Sequence, residues 1–248
     1  MTRKELYEAL ASRIPAALSE EWDNDGMMCL PHPTRRVERV LCTLDVSDEV
    51  ILYAIRKGYD LILSHHPLIF KGVSALHEED AVARRLITLI RNDIAVFSFH
   101  TRLDAVEGGI NDALCEMLGL GEVESFAGLG RVGTLPETLS FSVFAERVKA
   151  VLGVPFLNTR CVSDTVRRVA VVGGEGKDMI GAALMAGADT YLSGRLGYHA
   201  MLDATVNLLE AGHYFTERHA ARLLAEMTVR VHPEAKVEIY TPNLLSVY

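Results

Sequence analysis

Through most of the chain, short runs of aliphatic and β-branched residues alternate with stretches whose apolar positions recur at helical spacing. "VERVLCTLDV" predicts a strand. "SDEVILYAIRKG" predicts a helix with Ser47 as N-cap and Gly58 closing it. "YDLILS" then predicts a strand, "EEDAVARRLITLIRND" a helix, "IAVFSF" a strand and "GGINDALCEMLGL" a helix, after an N-terminal amphipathic helix in "MTRKELYEAL". Strands that alternate with helices of this length form parallel βαβ units, with strands buried on both faces. The fold class expected is therefore α/β.

The pattern occurs twice. "VRRVAVVGG" followed by "KDMIGAALMAGADTYLSG" lies over "VERVLCTLD" followed by "SDEVILYAIRKGYDLILSH" without a gap. Val40 falls on Val169, Gly58 on Gly187, Asp60 on Asp189 and Ser64 on Ser193, an offset of 129. Farther on, "HTRLD" falls on "HYFTE" at an offset of 113, each an H-x-x-x-acid ahead of a helix. Two similar α/β repeats follow, expected over 1–125 and 126–248 with the C-terminal part packing back on the first. Their boundary is expected in the Gly/Pro-rich "FAGLGRVGTLPETL" at 126–139, and a metal-binding cleft between them.

Composition narrows the classes. The chain has 248 residues, 49% of them hydrophobic and 23% charged, as in a soluble globular protein. No apolar run reaches the ~18 residues of a membrane span, and the N-terminus lacks a signal peptide's apolar core. A cytoplasmic protein is expected. A net charge of −8 without a Lys/Arg cluster argues against nucleic acid as a partner. The four scattered cysteines include no C-x-x-C and are expected as free thiols, Cys42 and Cys115 buried.

The candidate chemistry sits at strand ends. In "LILSHHPLIF", His65 and His66 end an aliphatic strand, and both can face one site only if the strand stops there. Pro67 supplies no ladder N–H and helps stop it. His100 follows the next strand with Asp104 four residues on, and His213 and Glu217 repeat that spacing in the second half. Carboxyl ends of parallel strands are where open α/β sheets place ligands. Imidazole with carboxylate suits Zn, Fe, Mn, Co or Ni, and six such donors suit two ions ~3.5–4 Å apart better than one. His32, His77 and His232 are expected at the surface, and His219 there or behind the site. "VAVVGGEGKDMI" is neither dinucleotide fingerprint nor phosphate loop. It reads as a tight turn whose amides offer a weaker phosphate site. Asn24, within "EEWDNDG", belongs to an Asn-x-Gly turn and is a candidate substrate contact.

"WDNDG", "SHHPLIF", "FHTRLDAVEGGIND", "GRVGTL", "VAVVGGEG" and "EAGHYFTE", in this order from about residue 3 to the C-terminus, resemble the GTP cyclohydrolase 1 type 2 homolog family of NIF-three-like, YbgI-type proteins. The resemblance implies two intertwined α/β repeats around a dinuclear metal site, in toroidal homohexamers. It implies as ligands His65, His66, Asp104, His213 and Glu217, with Glu217 also catalytic and His100 beside the metals moving a proton. Arg195 stands where the family usually has an acidic residue, so Arg195 and His199 are expected to contact an anionic small-molecule substrate. The function implied is metal-dependent hydrolysis of a nucleotide-like substrate. The alternative is a non-catalytic metal-binding protein that regulates or interacts.

Overall fold

The computed structural model describes residues 1–243, and its Cα positions separate into two units, Met1–Val106 with Arg218–Tyr248, and Glu107–Glu217. The chain first builds α1 (Arg3–Ala11), β1 (Gly26–Cys29), β2 (Arg39–Thr43), α2 (Asp48–Lys57), β3 (Leu61–Ser64), α3 (Ala81–Arg91), β4 (Ala95–Ser98) and α4 (Thr101–Ala105). The second unit is then made without interruption. Its elements are α5 (Ile110–Leu118), β5 (Gly121–Phe126), β6 (Gly130–Ser140), α6 (Phe141–Leu152), β7 (Asn158–Arg160), β8 (Thr165–Glu175), α7 (Ile180–Met185), β9 (Thr190–Arg195), α8 (Tyr198–Leu202), β10 (Asn207–Glu210) and α9 (His213–Glu217). The chain finally returns to the first unit with α10 (Ala220–Val231) and β11 (Lys236–Ile239).

The first division falls at 106/107 rather than 125/126, because residues 107–125 go with the second unit, while the C-terminal part returns to the first unit as expected. The reason is local. Leu114 and Leu118 of α5 pack into the same apolar cluster as Phe144 of α6 and Val169 of β8, and Gly119 closes the helix with φ +73°. The stretch expected as a boundary, 126–139, is instead sheet. β5 and β6 form a hairpin around Ala127 and Gly128, both at positive φ. Pro136 falls where the β6–β8 register slips, a place in a sheet that tolerates a missing N–H.

The first unit is a five-stranded sheet in the order β1-β4-β3-β2-β11. β2, β3, β4 and β11 run parallel and only β1 is antiparallel. Ser47 caps α2 as expected, its hydroxyl accepting from Val50 N, and Gly58 ends the helix in the left-handed conformation at φ +67°. The second unit has six strands, β5-β6-β8-β9-β10-β7, in which only β8, β9 and β10 are mutually parallel. The antiparallel edges β1, β5–β6 and β7 depart from the all-parallel expectation.

The matched segments agree in detail. Val40 of β2 pairs with Leu61, and Val169 of β8 pairs with Thr190, the same register at an offset of 129. Asp60 Oδ2 accepts from the amides of Glu38 and Arg39, and Asp189 Oδ2 from those of Arg167 and Arg168, at 2.8–2.9 Å. The third strands align at 112 rather than 113, since Ala95 pairs with Leu61 and Asn207 with Thr190. One more residue thus precedes His213 than precedes His100, and Gly212 at φ +85° takes it up. Among the described residues no helix is long and apolar enough to cross a membrane.

Candidate metal centre

In the first unit β3 stops at Ser64, and the next two residues keep contact with the end of β2 and the residue beyond it. His65 N donates to Thr43 O and His66 N to Leu44 O. Ser64 Oγ donates to His66 O, and with Pro67 following, the ladder goes no further. The two rings consequently lie side by side with centroids 5.0 Å apart, and the His100 ring is 5.1 Å from His65 and 5.7 Å from His66. One ligating atom from each of the three lies within 4.8 Å of the others.

All three rings are held by the same nitrogen. His65 Nδ1 meets Phe99 O at 3.0 Å, His66 Nδ1 meets Asp45 Oδ1 at 2.7 Å and His100 Nδ1 meets Asp23 Oδ1 at 2.8 Å. A carbonyl only accepts, and so does an ionised carboxylate, so each Nδ1 carries the hydrogen. In the neutral rings Nε2 then carries the lone pair. Histidines that ligate metals are oriented in this way, by an outer acceptor on the second ring nitrogen. His65 is fully buried, and its Nε2 is 3.8 Å from Oδ1 of the nearly buried Asp104 on α4.

Asp23 is the firmest of the outer groups. Its buried carboxylate also accepts from Thr101 N at 3.1 Å and Thr101 Oγ1 at 2.6 Å. Burial pushes its pKa upward, but the hydrogen bonds from His100 and Thr101 and the attraction of His100 outweigh that and hold it down at about 2. Neighbouring Asp25 accepts from His100 N and from the buried Arg102 guanidinium.

In the second unit His213 and Glu217 stand four residues apart on α9, with His213 Nε2 2.9 Å from Glu217 Oε2. Glycines make room for them. A Cβ on Gly174 would lie 2.2 Å from Glu217 Oε1. One on Gly194 would lie 2.6 Å from both Gly174 O and Thr216 Oγ1 and 2.9 Å from His213 Cα. Gly174 and Gly194 fall, at the offset of 129, on Asp45 and His65 of the first unit. The second repeat thus needs glycine where the first carries an imidazole and the carboxylate that orients its neighbour. Gly173 N donates to Asn111 Oδ1, Gly174 N to Thr216 Oγ1 and Gly176 N to Arg195 O. These three amides are taken up by α5, α9 and β9 and so are not open to a phosphate.

The three residues expected to contact substrate are placed as follows. Arg195 is exposed, with Nη1 4.0 Å from Glu175 Oε2, and His199 is exposed beside the Tyr198 ring. Asn24 Nδ2 donates to Ile69 O and ties two loops of the first unit together. His77 and His32 are exposed as expected, but His232 and His219 are buried. His232 Nε2 lies 2.9 Å from Val37 O, at the end of α10 where that helix covers the first sheet. Asp45 escaped the sequence reading because it sits in a loop far from the histidine that it holds, and Asp23, though it lies in "EEWDNDG", gives no sign there of its bond to His100. "WDNDG" held one signal: two acidic residues, more than an Asn-x-Gly turn requires.

Comparison with known proteins agrees with this architecture. The profile of Duf34/NIF3 (NGG1p interacting factor 3) matches residues 1–243. The GTP cyclohydrolase 1 type 2 homolog of Clostridium perfringens is 34% identical over 229 residues, covering 88% of this chain and 87% of that one. That of Lactococcus lactis is 35% identical over 222 residues, covering 86% and 85%. The Staphylococcus aureus protein SA1388 superposes with a TM-score of 0.90 at 27% identity over 98% of this chain and 97% of that one. Reduced HcgD from Methanocaldococcus jannaschii gives 0.83 at 28% identity over 96% and 97%. The chain belongs to the Duf34/NIF3 family.

Proposed function

We propose that the protein holds two divalent metal ions and is a hydrolase of a small, nucleotide-like substrate. In this reading His65, His66 and Asp104 of the first unit and His213 and Glu217 of the second are the ligands. The observation that carries it is the set of three imidazoles anchored through Nδ1, one atom of each within 4.8 Å of the others, two of them offered as ligands and His100 beside them. His65, the fully buried member of the trio, is a polar ring whose burial costs free energy unless something stabilises it. The donor chemistry fits Zn, Fe, Mn, Co or Ni, and carboxylates beside neutral imidazoles offset the charge of such ions.

When bound, the ions would supply Lewis-acid chemistry, polarising a substrate oxygen and acidifying a water. The protein's own groups do the rest. Asp45 and the Phe99 carbonyl fix the planes of the two adjacent rings. Asp23 keeps the hydrogen on His100 Nδ1, so Nε2 takes the proton from the attacking water, as a general base does. Glu217 holds His213 in place and bears a carboxylate at the reacting centre.

GTP is the first substrate to try, because the curated relatives are named GTP cyclohydrolase 1 type 2 homologs. Turnover of GTP and a panel of phosphoesters by metal-reconstituted protein, against a chelator-treated control, tests the activity. Metal-dependent turnover that falls at least a hundredfold in His100→Ala at unchanged metal content supports it. Full metal occupancy with no turnover on any substrate supports the non-catalytic, regulatory reading instead. A cytoplasmic homohexamer belongs to the same proposal, and sedimentation equilibrium checks the assembly.

A further inference from the structure

Two large aromatic side chains of the first unit remain in solvent beside the imidazole trio. Trp22 is 61% exposed and Phe70 49%, and neither belongs to the buried apolar cluster of the unit. Trp22, Phe70 and His100 meet pairwise edge to face, with centroids 6.1–6.2 Å apart. Their loops are not loose. Asp23, next to Trp22, is buried and bonded to Thr101 and His100. Asn24 donates to the carbonyl of Ile69, the residue before Phe70, and so couples the two loops to each other.

We infer that Trp22 and Phe70 form a binding slot for a purine-sized heteroaromatic ring whose attached anionic group reaches the imidazole side. Exposed rings whose flanking residues are tied down by hydrogen bonds, and which pack edge to face on one another, are pre-organised to stack, since less freedom is left to lose on binding. Base–aromatic stacking is sequence-tolerant and contributes substantially because both partners offer a π face. At these exposures the two side chains leave roughly 200–300 Å² of ring surface open, which suits one heterocycle. A stable protein interface needs about 800 Å² per partner, so a second macromolecule is the poorer occupant. The ring part of the inference stands on Trp22, Phe70 and Asn24 alone, and the anionic part rests on the proposed metal site.

Trp22 is the only tryptophan in the chain, so its fluorescence reports on the slot directly. Metal-loaded and chelator-treated protein are titrated with guanosine, guanosine 5′-monophosphate and ribose 5-phosphate. Guanosine should quench saturably in both forms, and ribose 5-phosphate should not quench. The monophosphate should bind at least tenfold more tightly when metal is present. Phe70→Leu should weaken guanosine binding at least fivefold at unchanged metal content. Calorimetry on Trp22→Leu should show the same loss and guards against misfolding of one variant. A guanosine response that is absent, or unchanged in Phe70→Leu, overturns the slot whatever the metals do. Emission that follows protein concentration rather than guanosine also overturns it, in favour of a second copy of the chain. Guanosine binding with no metal-dependent gain for the monophosphate keeps the slot and overturns its link to the metals.

Discussion

His100 Nδ1 donates to Asp23 Oδ1 at 2.8 Å across 77 residues of sequence, and that carboxylate is buried. A carboxylate so placed chooses which ring nitrogen carries the hydrogen. Asp23→Asn keeps the shape and removes the charge, so the tautomer of His100 should lose its bias. Histidine nitrogen shifts in NMR should show mostly Nδ1–H in the parent and a mixture in the variant. An unchanged tautomer would mean that packing alone sets the ring.

The same carboxylate makes stability depend on acid. Its folded pKa, about 2, lies below the ordinary value of 3.8. A depressed carboxyl contributes stability that is fully present above the ordinary value and is lost as pH falls through the folded one. Urea denaturation should therefore show Asp23→Asn less stable than the parent by about 2 kcal/mol at neutral pH. That difference should hold down to pH 4 and shrink between pH 4 and pH 2. A difference that stays constant through this window would contradict the ionised, hydrogen-bonded carboxylate.

Gly194→Ala should be costly, because its Cβ would press on the backbone of Gly174 and of His213. We expect about 1–3 kcal/mol of destabilisation, the usual effect of overfilling a packed site. Gly181→Ala is the control. Its Cβ would meet nothing within 4 Å, and its helical position gains from alanine. Equal thermal midpoints for the two variants would show that α9 does not need the close approach.

Much of this was legible in the chain itself. The aliphatic and β-branched runs marked β2, β3, β4, β8 and β9, and the HHP stop marked the end of β3. Those signals are local, set by period and by proline. The antiparallel edges were not legible, since "GMMC" has no alternation and β6 carries Gly130, Gly133 and Pro136, which read as a loop. The donors of the centre were visible as types at strand ends. Their anchors Asp23 and Asp45 were not, because what ties them to His100 and His66 is tertiary proximity. The offset of 129 helped in an unexpected way: Gly174 and Gly194 fall on Asp45 and His65, and neither has room for a side chain.

Thiol chemistry gives an independent check on the packing. Burial pushes Cys29 up to about 11 and Cys115 up to about 12, and raises Cys42 as well, while Cys161 is exposed. A thiol reagent at pH 8 should label one cysteine per native chain within minutes and all four after denaturation. Fast labelling of two or more in the native protein would contradict the buried placement.

The central claim is that these imidazoles and carboxylates exist to hold metal, and metal content answers it most directly. The protein should be purified without chelator, reloaded with Mn, Fe or Zn, and measured by elemental mass spectrometry alongside Glu217→Gln and His65→Ala. We predict two ions per chain in the parent and one or fewer in either variant, with circular dichroism unchanged. Less than one ion per chain in the reloaded parent, or undiminished binding in both variants, would contradict the account.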